Sequence, residues 1–349
     1  MFLSVPKARV TALRTPSRSA SIGRRSFTAC AMLACWQLFA VAALADIVDT
    51  VEGHEDNIYL IDFTSDGQWM ATASGDNTAM LWSGSPWRSK YRLEHEGPVY
   101  AAVFSPDGQS LATTSGDGRV AMWTVRGGQK RLEISGHGDA VYCAAFSPDG
   151  KMLATAGGNG DGGDTVCRVW ESETLRLIKE YAGHTFPVYG VTFSPDGLWL
   201  ATSSRDRSVR LWRSSDGACR ILAGHTSDVH RCEFSPDSRW LATASQDATV
   251  RVWDVTAGTC ARTLKGRKDP FYGVDFSPDG TRLAAVGDDF MLRVWSTKDF
   301  RALLAEKLSR DALYSVTFLP DGKRIAVGGA DTVLRVWSDV KADSQSGAP

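Results

Sequence analysis

Six histidines in 349 residues leave little material for chemistry that depends on them. Five of the six fall at one position of a repeat described below, so no histidine cluster remains for a metal ion or a general base. The chain also lacks a Gly-x-Ser-x-Gly elbow, a phosphate-binding loop and a Cys-x-x-Cys pair. Those absences remove the common sequence signals of serine hydrolases, nucleotide enzymes and thiol redox proteins. No cofactor is called for. Nor does any segment read as a long amphipathic helix. Positive charge is scarce in the body of the chain. Six of the 39 basic residues (Lys7, Arg9, Arg14, Arg18, Arg24, Arg25) precede residue 46, where there is no acid, leaving 33 against 40 acids, a net of −7 for residues 46–349. Nucleic-acid binding needs clustered Lys and Arg, so this balance argues against it.

Charge is missing altogether from residues 26–45, SFTACAMLACWQLFAVAALA. Arg24-Arg25 precede this stretch and Ala43-Leu44-Ala45 end it. Basic region, apolar region and small-residue cleavage site are the order of an export signal. Residues 1–45 are therefore read as a signal peptide cleaved after Ala45, which predicts an exported, periplasmic protein. Arg24-Arg25-x-Phe27 partly matches a twin-arginine signal, and the general secretory route stays open beside it. Twenty uncharged residues are also long enough to remain as a membrane anchor. A lipid attachment at Cys35 and an organelle transit peptide are further alternatives.

What the sequence has in abundance is periodic. Tryptophan recurs at Trp82, Trp123, Trp170, Trp212, Trp253, Trp295 and Trp337, at intervals of 41, 47, 42, 41, 42 and 42 residues. Six residues before each stands an aspartate: Asp76, Asp117, Asp164, Asp206, Asp247, Asp289 and Asp331. A period near 42 suits one four-stranded propeller blade per repeat, and repeats stack into one body whatever the chain length. Within a repeat, Val188–Phe193 reads as a strand, Ser194-Pro195-Asp196-Gly197 as a turn, and three further strands run through Trp199–Thr202, Val209–Trp212 and Cys219–Leu222. Proline pre-sets the turn and glycine takes its left-handed position.

The combination of Gly-His, Ser-Pro-Asp-Gly, Leu-Ala-Thr, Asp and Val-Arg-Val-Trp resembles the WD-repeat family over about 290 residues, although the literal Trp-Asp pair occurs once, at Trp253-Asp254. The resemblance implies an all-β fold: a seven-bladed WD40 β-propeller over residues 46–340, with a polar tail at 341–349 expected to be disordered. The last repeat ends at its third strand, and Ile47–Val51 is expected to supply the fourth as an N-terminal latch. The resemblance also implies a hydrogen-bonded His, Thr, Asp and Trp in each blade. These would be His54, Thr72, Asp76 and Trp82; His95, Thr113, Asp117 and Trp123; His137, Thr155, Asp164 and Trp170; His184, Thr202, Asp206 and Trp212; and His225, Thr243, Asp247 and Trp253. Blades six and seven retain Asp289 with Trp295 and Asp331 with Trp337. Their His position holds Arg267 and Ser309, and their Thr position Ala285 and Val327. Losing both partners together is close to neutral, whereas orphaning one is costly. The seam between these two blades, with its latch, is expected to be the weakest part of the ring. Five equally spaced copies of a His–Asp–hydroxyl set read as structure, not catalysis.

Five cysteines follow residue 45: Cys143, Cys167, Cys219, Cys232 and Cys260. An odd, unpatterned set is no disulfide framework and reads as buried thiols. The aromatic pattern is more telling. Five residues after each blade's His position come Tyr59, Tyr100, Tyr142, Tyr189, His230, Tyr272 and Tyr314, using six of the eight tyrosines. In WD-repeat propellers this position lies at the start of the innermost strand, near the central mouth of the top face. Such a ring offers apolar walls with hydroxyls at the rim, suited to peptides and proteins or to a cation; alternatively each ring only packs between blades. Arg205 and Gln246, preceding their aspartates, are expected beside the mouth. Lys268 and Arg310, with Arg267, bring positive charge to blades six and seven, so that side is expected to favour acidic groups. The five extra residues of blade three lie in Ala156–Gly163. Asn159, Asp161 and Asp164 there loosely resemble a calcium loop, but a tolerated insertion is the simpler reading.

The sequence thus predicts an exported, monomeric, non-enzymatic scaffold that binds a protein or peptide through its Tyr-lined top face. A small-molecule or ion-binding propeller using the central channel, and a membrane-tethered assembly scaffold, are the alternatives.

Overall fold

The computed structural model describes residues 47–159 and 163–338. The expected signal segment 1–45, its cleavage point, the tail 341–349 and Asp161 lie outside the described residues.

Every regular element among the described residues is a β-strand, and the strands form seven four-stranded antiparallel sheets. Six sheets each consist of four strands consecutive in sequence. In the fourth, Val188–Phe193, Trp199–Ser204, Val209–Arg213 and Cys219–Leu222 pair in order, with Leu200 opposite Trp212 and Trp212 opposite Cys219. In the seventh, Leu313–Phe318, Arg324–Gly329 and Leu334–Ser338 are joined by Ile47–Val51, whose Val51 lies opposite Leu334. The first strand of each sheet packs on the first strand of the next, and Leu313–Phe318 packs on Ile58–Phe63, so the innermost strands form a closed ring.

The repeated Leu-Ala-Thr now has a physical reason. Its central alanines, Ala71, Ala112, Ala154, Ala201, Ala242, Ala284 and Ala326, have no exposed surface at all. Each lies on the second strand, where neighbouring sheets meet face to face and only a small side chain fits. The residues before them, Met70, Leu111, Leu153, Leu200, Leu241, Leu283 and Ile325, are equally inaccessible. Each such burial contributes about 1.5–3 kcal/mol before entropy is counted. The core therefore lies between blades: one cluster joins Leu241 and Trp253 of blade five to Val209 and Leu211 of blade four.

The turn linking first and second strands repeats as well. Ser194 donates from its hydroxyl to Asp196 (2.5 Å), and the same carboxylate accepts from the Leu198 amide (2.9 Å). Gly197 occupies the left-handed region at φ 71°. Blade five has Ser238 there at φ 60°, a conformation that costs a residue with a Cβ more than it costs glycine.

Candidate functional site

All seven first strands carry a β-bulge at the same place. In blade one, Ile58 lies opposite Ser74 and Leu60 opposite Ala73, leaving Tyr59 as the extra residue. Tyr100, Tyr142, Tyr189, His230, Tyr272 and Tyr314 are the extra residues of the other six blades. A bulge breaks the alternation of a strand and re-aims one side chain. Here it turns seven aromatic rings toward one another around the pore.

The rings make a closed annulus. Successive centroids lie 5.2, 4.9, 5.5, 5.5, 4.9, 5.3 and 5.8 Å apart, going from Tyr59 through Tyr100 and back. These are ordinary distances for interacting aromatic pairs, and a heptagon of such sides puts each ring centre about 6 Å from the axis. All seven residues are half-buried. Burial pushes the Tyr100, Tyr272 and Tyr314 phenols up to about 12 and raises those of Tyr59, Tyr142 and Tyr189, so the hydroxyls stay protonated donors. The Tyr59 hydroxyl accepts from the Asn57 amide (3.4 Å). Two small residues leave room for the rings: a Cβ on Gly75 would lie 3.3 Å from the Tyr59 hydroxyl, and one on Gly116 3.4 Å from Tyr100 Cε2.

The corresponding position in blade four is Arg205, which is exposed. Its guanidinium lies 5.6 Å from the centre of the Phe186 ring and 3.9 Å from Asp228, and its charge acts on Tyr142 and Tyr189. Gln246 holds the same position in blade five and is exposed. The expected positive side of the mouth is not found. The charges acting on Tyr272 and Tyr314 are the carboxylates of Asp288, Asp311 and Asp56. Burial and then the neighbouring Asp269 and Asp311 raise the pKa of Asp288 itself. The acids of these loops face the mouth, so blades six and seven present negative charge.

Beneath each blade's surface the polar set is built in blades one, four and five as the family resemblance implied. His184 meets Asp206 at 2.7 Å and Thr202 at 2.8 Å, and Trp212 donates its indole N–H to Thr202 at 2.9 Å. The His54 and His225 sets match within 0.1 Å. Blade three keeps the set, with His137 on Asp164 (3.0 Å) and Thr155 (2.8 Å), Trp170 on Thr155 (2.7 Å), and Arg168 added to Asp164. Asp164 is thereby committed to its blade's network. Desolvation opposes ionisation of Asp76, Asp164, Asp206 and Asp247, but hydrogen bonds led by the histidine outweigh it and hold all four well below the usual carboxylate range.

Residues 45–83, 87–124, 128–171, 175–213, 217–254, 258–296 and 306–338 match the family described as WD domain, G-beta repeat. The chain belongs to that family. Its propellers commonly serve as protein-interaction scaffolds. Two proteins share single repeats with it. U3 small nucleolar RNA-associated protein 13 of Saccharomyces cerevisiae is 54% identical over 41 residues, 12% of this chain and 5% of that protein. A chromatin assembly factor 1 component of Gallus gallus is 53% identical over 36 residues, 10% of this chain and 6% of that protein. So small a shared portion speaks to the repeat, not to either protein's role.

Three blades of this WD propeller depart from the expected network. In blade two, His95 meets Thr113 (2.9 Å) and Trp123 donates to Thr113 (2.7 Å), but Asp117 Oδ2 is buried without a partner. In blades one, four and five a hydroxyl (Thr78, Ser208, Thr249) donates to the other aspartate oxygen at 2.6 Å. Blade two has Arg119 there, and that side chain turns instead to Glu96 and Glu133, both at 3.2 Å. In blade six, Arg293 pairs with Asp289 and lies 5.4 Å from the Phe271 ring centre. In blade seven, Ser309 (2.7 Å) and Arg335 (2.7 Å) hold Asp331, while the Trp337 indole N–H is buried with no partner. The paired loss expected to be neutral is therefore incomplete: Val327 removed the acceptor and left the donor.

Of the five cysteines, Cys143, Cys167 and Cys232 are buried, Cys260 is half-buried and Cys219 is exposed, and all are free thiols. The buried-thiol reading holds for three and fails for the exposed Cys219. Among the described residues no group of three or more His, Cys, Asp or Glu is arranged to hold a metal ion. One further layer escaped the sequence reading. Three residues beyond the annulus, the same strands place Asp62, Glu233 and Asp275 in the pore wall beside Arg231. Charge on an innermost strand in three of seven repeats was the signal available for it.

Proposed function

We propose that this propeller is a non-enzymatic scaffold that binds an extended protein or peptide segment across the Tyr-lined mouth. The closed annulus of Tyr59, Tyr100, Tyr142, Tyr189, His230, Tyr272 and Tyr314 carries the reading. Mutual ring packing rigidifies the wall in advance, so little side-chain entropy is lost when a partner binds. Protonated phenols at the rim supply hydrogen bonds, and aromatic residues dominate interface energetics. The acids Asp56, Asp288 and Asp311, with Arg205 opposite, suit a segment of mixed charge that is basic toward blades six and seven. In the same proposal residues 1–45 direct export and are removed after Ala45, and Ile47–Val51 then closes the ring as its latch.

A crosslinked pull-down from native extract tests it, comparing wild type with a folded Tyr59→Ser, Tyr100→Ser, Tyr189→Ser variant. A partner captured by wild type and lost from the variant is the expected result. Equal capture by both would make the annulus interior packing and remove the reading. Intact mass of the mature chain checks cleavage separately.

A further inference from the structure

The pore has a second compartment beyond the annulus. It is a chamber of about 270 Å³ whose wall includes Asp62, Arg231, Glu233 and Asp275, with Thr192 and Thr317 between them. Phe104 and Phe146, at the far ends of their strands, and Pro106 in the turn after the first of them form a collar on the side away from the annulus. The carboxylates are fixed from behind. Asp62 accepts from the Phe104 and Phe63 amides (2.8 and 2.9 Å), Asp275 from the Phe318 amide (2.7 Å), and Glu233 from the Thr192 hydroxyl (3.1 Å). Each carboxylate oxygen has two lone pairs, so these bonds leave acceptor capacity facing the cavity. Among the described residues the Arg231 guanidinium forms no hydrogen bond or ion pair, which leaves one cation against three acids. His230, whose ring completes the annulus, has a buried Nε2 without a partner. It is one residue before Arg231.

We propose that this chamber binds the charged end of a slender organic amine, an ammonium or guanidinium carried on an unbranched chain. The acids match N–H donors in sign and in hydrogen-bonding type. The apolar collar suits the methylene stem that follows such a group. An anion would face three carboxylates with one guanidinium in its favour. A bare metal ion lacks a convergent set of ligands. The electrostatics agree: burial raises the pKa of Asp62 to about 6, and burial with the nearby Glu233 raises that of Asp275 to about 8, while Glu233 is itself raised. Burial without sufficient counter-charge makes these acids harder to ionise, and an entering cation would favour their charged forms. The charged and titratable groups around the chamber are Asp62, Glu233, Asp275 and Arg231, with the buried Cys143 and Cys232 thiols near enough to feel Arg231. The site lies apart from the mouth proposed above and does not depend on that reading.

Calorimetric titration of the full chain with spermidine, agmatine and tetraethylammonium, in two buffers of different ionisation enthalpy, tests the proposal. Spermidine and agmatine are expected to bind with release of protons, and more tightly as the pH rises from about 6 to about 9. Tetraethylammonium, which has the charge but neither slenderness nor N–H donors, is expected to bind at least about tenfold more weakly. A Glu233→Gln, Asp275→Asn variant is expected to lose about tenfold or more for the amines, and Tyr100→Ser to lose nothing. An acetylated, amidated peptide with a single lysine distinguishes the source: binding as tight as spermidine assigns a side chain, weaker binding a free amine, and either supports the site. Absence of amine binding at about 10 mM, or equal binding of tetraethylammonium, would overturn it. So would loss on Tyr100→Ser with retention in the double variant. The comparison of amines on wild type stands even where the double variant does not fold.

Discussion

One hydroxyl decides whether a blade's tryptophan is satisfied. Thr243 accepts the Trp253 indole N–H at 2.9 Å while meeting His225 at 2.7 Å. Val327 stands at the equivalent place in blade seven, and Trp337, only 2% exposed, has a donor with nothing to receive it. A buried orphan of this kind costs about 1–3 kcal/mol, whereas deleting it with shape preserved returns that cost. Trp337→Phe is therefore expected to change stability by less than about 1 kcal/mol, since the lost volume offsets the removed orphan. Trp253→Phe loses volume and also a made bond, and is expected to destabilise by about 2–4 kcal/mol. Denaturant unfolding of the pair reads the difference, and equal losses would contradict the argument. Blade two poses the same question at its aspartate. Arg119→Thr supplies the hydroxyl that blades one and five donate to Oδ1, but the unpartnered atom of Asp117 is Oδ2, so the variant is expected to change stability by less than about 1 kcal/mol, with the unfolding midpoint nearly unmoved.

At the level of the strand pair, the end of the second strand alternates between two solutions. Ser204 of blade four donates its hydroxyl to the backbone oxygens of Phe186 and Pro187, at 3.0 and 2.9 Å. Blades three, six and seven have Gly157, Gly287 and Gly329 there, and a Cβ on any of them would come within about 2 Å of a backbone oxygen. For Gly287 that oxygen belongs to Pro270, at 2.0 Å, with Phe271 Cα at 3.0 Å. Backbone cannot swing aside as a flexible side chain can. Gly287→Ser, although it installs the residue that four sister blades carry, is expected to cost about 1–3 kcal/mol through forced displacement of the first strand. Ser204→Gly removes the donation to these oxygens and the bond accepted from the Asp206 amide (3.0 Å), and adds chain entropy, for about 1–3 kcal/mol. Thermal unfolding of both variants checks the pair, and a neutral Gly287→Ser would show that the blades share one backbone. This is also where the sequence stopped being legible. Period, turn and Trp–Asp spacing are local, and they announced the blades and the seven aromatic positions. The bulge that aims Tyr59 and its counterparts depends on how two strands pair. The acids facing Tyr272 depend on how loops fold over the rim, which counting Lys268 and Arg310 along the chain could not reveal. Arg293 and Arg335 took over at Asp289 and Asp331 from a position four residues downstream, inside the Arg-Val-Trp run that had been read only as strand.

For the whole ring, pH acts through two groups of residues with opposite sign. Asp76, Asp164, Asp206 and Asp247 are depressed in the fold, so they contribute stability above about pH 4 that is lost as the pH falls below it. His95 and His230 are lowered to about 4 by burial, so their contribution is complete above their unfolded pKa of about 6.5 and declines as the pH falls through that window. The pore acids run the other way. Asp275 is raised to about 8 and Asp62 to about 6, so the folded chain holds protons that the unfolded chain has released. Stability from this source is complete below about pH 4 and is lost as the pH rises through those values. Between pH 4 and 6 the two histidines and the two pore acids oppose each other and the curve is expected to be shallow. From about pH 6.5 to 8 Asp275 is the main group still releasing its proton, and wild type is expected to lose about 1 kcal/mol per pH unit there. Asp275→Asn keeps an oxygen for the Phe318 amide but cannot ionise. Urea unfolding across this range is expected to give a flat profile for the variant and a falling one for wild type, the two diverging most above pH 8. Parallel profiles would mean that the pore already compensates the Asp275 charge, through Arg231 or through water. A slender amine that restores the wild-type stability at pH 8 without affecting the variant would locate the missing counter-charge in the chamber itself.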